Sequence, residues 1–168
     1  VNCSLDLGRS TTTVTVHQHG WSHEGIDYPF IEDCRDRTIY YWDGEIFLPV
    51  SRYASSLIKL VPTEWGAPTF EIDGIKMLPT AQISPYEDAR RKVELLQPQG
   101  KAILDTCGGL GYFASWCLQK GALNITWIVN YTKFIVEHAR INSKCLFKLI
   151  IGNSSFGTNL FNLFLCVS

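Results

Sequence analysis

The segment Asp105-Thr106-Cys107-Gly108-Gly109-Leu110-Gly111-Tyr112 has residue types and spacing suited to holding a polar ligand. An acidic residue at the end of an apolar strand can accept hydrogen bonds from a cationic or hydroxyl-bearing group. Glycines let the backbone turn sharply and let a ligand approach with no Cβ in the way. The amides that open the following helix favour a polar or anionic group. The order strand, Gly-rich turn, helix is the context in which such a turn carries meaning. The third Gly of the dinucleotide fingerprint is missing, which disfavours NAD. The alternative is a tight strand-to-helix connection that binds nothing.

Three weaker groupings accompany it. His17, His19 and His23 cluster around one turn, and zinc there would need Glu24 or Cys34 as a further ligand. The bland alternative is exposed hairpin residues, and no metal site is expected. Arg90-Arg91-Lys92, with Arg35, Arg37 and Arg52, could mark an RNA surface, or could be a solvated helix face. Trp65, Trp116 and Phe113 could stack on a base. At their spacing, Phe113 and Trp116 are expected to pack on a sheet instead.

The elements that would position the Gly-rich turn can be read from rhythm. Residues 1–80 read as β. Asp43-Gly44 lies between Thr38–Trp42 and Glu45–Val50, and Asp73-Gly74 lies between Thr69–Ile72 and Ile75–Leu78. Each is a hairpin signal, because the turn needs positive φ and Gly supplies it. Ser84-Pro85-Tyr86-Glu87 is a helix start with a capping box and Pro at the first helical position. Ala89, Val93 and Leu96 then share a face, and Gln97-Pro98-Gln99-Gly100 stops the helix. After Gly100 the rhythm becomes β-α-β-α-β. A buried strand is expected at Ala102–Leu104, a helix over Leu110–Lys120 and a strand over Ile125–Val129. A helix follows over Tyr131–Asn142, then strands over Phe147–Ile151 and Phe161–Val167. That alternation predicts a parallel α/β sheet.

Composition narrows the function classes. The chain has 168 residues, net charge −1 and 46% hydrophobic residues. Such apolar content excludes a disordered tail, and the neutral balance excludes nucleic-acid binding by bulk basicity. No apolar run reaches the roughly 20 residues of a membrane span. The six cysteines form no Cys-x-x-Cys pair, and their apolar settings predict free thiols in a reducing cytoplasm.

Three blocks carry a family resemblance. They are Val61–Thr69 with Glu71–Met77, Ser84–Val93, and Leu104–Tyr112 with Lys120-Gly121-Ala122. Together they resemble a group of archaeal predicted class I S-adenosylmethionine-dependent methyltransferases. The resemblance implies a β-rich region over 1–80, then a Rossmann-like S-adenosylmethionine-binding domain over 81–168. By position, Asp105 would accept from the amino group of the cofactor's methionine. Gly109 and Gly111 would let the loop pass under methionine and ribose. Cys107, Gly108 and Tyr112 would line the same turn.

At the positions where that family carries acidic groups for ribose and adenine, this chain has Asn130 and Asn153. A neutral amide accepts more weakly than a carboxylate. The last strand, Phe161–Val167, carries no Asp-Pro-Pro loop. The sheet is therefore expected to be incomplete, and the chain a truncated or divergent copy. Methyl transfer to an unknown acceptor is the expected activity. A non-catalytic remnant or binding module is the alternative, and aminopropyl transfer a minor one.

Overall fold

A computed structural model describes residues 1–6, 10–128 and the backbone of 163–165. Asn130, Asn153, the helix expected over Tyr131–Asn142 and the strand expected over Phe147–Ile151 lie outside the described residues. The chain divides into two compact units, with the boundary between Pro85 and Tyr86.

The first unit is built from short antiparallel strands. β1 (Asn2–Cys3) pairs with β2 (Thr12–Thr13). β3 (Thr15–His17), β4 (Gly20–His23) and β5 (Ile26–Pro29) form a meander. β6 (Ile39–Trp42) and β7 (Phe47–Pro49) form a hairpin. β8 (Ser51–Tyr53), β9 (Leu57–Val61), β10 (Thr69–Ile72) and β11 (Ile75–Lys76) follow as a four-stranded sheet in the order β11-β10-β9-β8. Trp21 stacks on Tyr28 at 4.1 Å between ring centroids, and Trp42 meets Tyr28 edge-on at 5.3 Å. Val14 and Phe47 complete this aromatic core.

Both hairpin turns form where the Asp-Gly pairs sit. In the β10–β11 hairpin, Asp73 and Gly74 have φ of 49° and 84°, the doubly positive turn that matches strand twist. Asp73 Oδ1 also accepts from the Leu57 amide at 2.8 Å. Between β6 and β7, Asp43 Oδ1 accepts from the amides of Glu45 and Ile46, both at 2.8 Å.

The second unit opens with α1 (Pro85–Leu96). Ala89 and Val93 are buried, whereas Leu96 is 38% exposed. Arg90 bonds the Glu87 carboxylate and holds it down to about 2, so Glu87 is engaged along the helix face. β12 (Ala102–Asp105), α2 (Tyr112–Gln119) and β13 (Asn124–Trp127) follow, with β12 and β13 parallel.

The expected Rossmann-like α/β sheet is overturned. The described residues are predominantly β, arranged in small antiparallel sheets with two helices, and the one parallel sheet has two strands. β14 (Leu163–Leu165), expected to extend a parallel sheet, pairs antiparallel with β6 in the first unit, Phe164 opposite Tyr40. A short apolar run specifies a buried strand but not its partner. The edge of β6, with buried Ile39, Tyr40 and Tyr41, supplies one. β12 also departs from expectation, because it alternates rather than being wholly buried, with Leu104 62% exposed.

Candidate functional site

Asp105 ends β12, and the chain turns immediately beyond it. Asp105 Oδ1 accepts from the Cys107 amide at 3.2 Å. Its Oδ2 is buried with no hydrogen-bond partner among the described residues. Burial pushes the carboxyl above its ordinary range, and the Cys107 amide only partly offsets this. No other charged side chain lies on β12, α2 or β13. Among the described residues these three elements therefore supply no counter-charge, and a carboxylate buried without one is costly.

The turn is stitched to the neighbouring strand. The Gly108 amide donates to the Ile128 carbonyl at 3.2 Å, and the Ile128 amide donates to the Asp105 carbonyl at 2.8 Å. The Gly111 amide donates back to the Gly108 carbonyl at 2.7 Å. Gly109 and Gly111 have φ of 48° and 79°, the left-handed region where other side chains are strained. Gly111 is also the N-cap of α2, where it brings no side chain to cover the helix start.

The structure sorts the expected site residues. Asp105, Cys107, Gly108, Gly109 and Gly111 share one turn, with Cys107 an exposed free thiol. Tyr112 is 6% exposed and meets Tyr86 of α1 edge-on at 5.7 Å, so it props the turn from inside. Among the described residues Trp116 has its closest ring partner on α1. It packs on Tyr86 at 4.9 Å and donates its indole N–H to the Tyr86 carbonyl at 3.0 Å. Gln119 donates to the Tyr86 hydroxyl at 3.2 Å. Beneath the turn, burial pushes the Cys117 thiol up to about 11, and the nearby Asp105 charge adds to the shift.

One contributor was not read from the sequence. Trp127 stands opposite Asp105 in the β12–β13 register. A Cβ built at Gly108 would overlap the Trp127 indole at Nε1 and Cδ1, with Cε2 at 2.9 Å. The available signal was a large aromatic at the end of the strand that returns beside a Gly-rich turn.

The weaker groupings resolve differently. His17 stands 3.9 Å from Asp27, and His23 stands 3.9 Å from Glu24. Among the described residues no three His, Cys, Asp or Glu converge as a metal site would require. Arg90 pairs with Glu87 and Glu94, Arg91 with Glu87, Lys92 with Asp88, and Arg37 with Glu71. The helical basic run is thus neutralised along its own face. Cys3, Cys107 and Cys117 are free, but Cys34 is disulfide-bonded, which corrects the expectation of free thiols throughout. No helix among the described residues is long and apolar enough to cross a membrane.

No protein-family model matches the chain. It is similar to an uncharacterized protein of Methanocaldococcus jannaschii, with 39% identity over 119 residues, 67% of this chain. The chain spans about 40% of that relative's length.

Proposed function

We propose that the turn from Asp105 to Gly111 binds S-adenosylmethionine and that the protein is an S-adenosylmethionine-dependent methyltransferase. The observation that carries this reading is the buried Asp105 Oδ2, which lacks a partner among the described residues beside a turn opened by glycines. A ligand ammonium suits that oxygen, because it supplies both the missing hydrogen bond and the missing positive charge. The backbone at Gly109 and Gly111 carries no Cβ toward an approaching ligand. The sequence resemblance identifies which ammonium-bearing ligand fits this description.

In this reading Asp105 fixes one end of the cofactor, and the turn sets its depth. When bound, S-adenosylmethionine supplies an electrophilic sulfonium methyl. The protein contributes orientation and a shielded carboxylate rather than a covalent step. A cytoplasmic setting belongs to this reading; the three free thiols favour it and the Cys34 disulfide stands against it.

Isothermal titration of the purified chain with S-adenosylmethionine and S-adenosylhomocysteine tests the proposal. Saturable binding that Asp105→Asn weakens about 100-fold is the expected result. Absence of binding at millimolar ligand would sink it. Binding with no methyl transfer to any acceptor would favour the non-catalytic alternative.

A further inference from the structure

We infer that Trp127, on the strand beside the turn, is a positioning residue that sets the shape of the Gly108–Gly111 backbone and secludes Asp105 from water. The inference concerns the same site as the proposed cofactor binding, but its geometry stands without any ligand. Asp105 and Trp127 are register partners on adjacent parallel strands, so their side chains rise from the same face of the pair. The alternation of burial agrees, since Ile103, Asp105, Ile125 and Trp127 are the half-buried members of β12 and β13. The indole occupies the volume that any side chain at 108 would need. Gly108 is itself buried, and its amide is tied to the residue after Trp127.

Gly108 and Trp127 therefore form a complementary small–large pair. A larger residue at 108 must push the indole or the turn, and protein interiors have little slack to absorb that. A smaller residue at 127 leaves the turn unsupported and opens a path for water toward the carboxylate. The facing groups are few, which keeps the effect readable. Cys117 approaches from α2, the Cys107 amide bonds Oδ1, and α2 and β13 carry no charge.

The experiment compares Gly108→Ala, Trp127→Ala, Trp127→Phe and the double variant Gly108→Ala/Trp127→Ala in the full chain. Thermal unfolding, S-adenosylhomocysteine affinity and the Asp105 titration by carboxyl 13C NMR are the measurements. Gly108→Ala is expected to lower Tm and weaken binding about tenfold. The double variant should recover most of both, because removing the indole makes room for the methyl group. Trp127→Ala should move the Asp105 midpoint down toward the ordinary carboxylate range, a change that a general loss of stability would not produce. Trp127→Phe should fall between wild type and Trp127→Ala, and it supplies the titration if Trp127→Ala does not fold. Additive losses in the double variant, or an unmoved Asp105 midpoint in the folded Trp127 variants, would overturn the inference. If wild type binds no S-adenosylhomocysteine, the cofactor proposal falls, while the Tm coupling and the titration still decide the role of Trp127.

Discussion

Asp43, Asp73 and Asp105 each sit at a turn, and they are not alike. Asp43 and Asp73, in the first unit, place a carboxylate on backbone amides and stand exposed to water. Those amides hold the Asp43 carboxyl below its ordinary range, and Ser56 with the Leu57 amide does the same for Asp73. Asp105, in the second unit, has one oxygen satisfied and the other buried without a partner among the described residues, and its carboxyl is pushed up. Asp43 spends its polarity on its own turn, and Asp73 spends it on Ser56 and Leu57 of the neighbouring connection. The third keeps one oxygen in reserve, and the proposed ligand binding rests on that difference.

The sharpest way to break the contrast is Asp105→Asn. It should weaken S-adenosylhomocysteine about 100-fold, as expected for losing a charge-assisted bond, while raising Tm because a buried uncompensated charge is removed. Calorimetric titration and thermal unfolding on one sample check both halves. A fall in both affinity and stability would place Asp105 among the structural aspartates. Next in size, Gly74→Val forces a β-branched residue into the left-handed region and should cost about 1–2 kcal/mol of stability. Urea unfolding measures it, and ligand affinity should not change. Asp73→Ala should lower Tm by a few degrees, again with affinity unchanged.

The smallest effect is the pH dependence, where the signs differ. A carboxyl lowered by folding adds stability above its unfolded pKa, and that contribution disappears as pH falls through the folded value. A carboxyl raised by folding subtracts stability once ionised, and the penalty disappears as pH falls through its raised value. The Tm deficit of Asp73→Ala should therefore persist from neutral pH to the ordinary carboxylate range, about 4, and close below it. The Tm gain of Asp105→Asn should begin to close at higher pH. Coincident closing points would remove the distinction between the two turns.

What the sequence made legible was local. Asp73-Gly74 and Pro85 fix backbone angles within their own few residues, so the hairpin and the start of α1 were readable from those residues alone. The Gly-rich turn was readable for the same reason. What it hid was pairing across distance. Leu163–Leu165 carries apolarity but no address, and it chose β6 over a parallel sheet. The basic run at Arg90–Lys92 left a solvated helix face and an RNA surface both open, and the structure adds its carboxylate partners one turn away. Trp127 was not singled out, because its meaning depends on which residue stands opposite in register.

The pairing of β14 with β6 has a topological consequence. The first unit is made of residues 1–85 and 162–168, so the chain returns to it only after the whole of the second unit. Leu163 meets Tyr41, and closing a loop that long costs on the order of 4 kcal/mol by the logarithmic scaling of chain entropy.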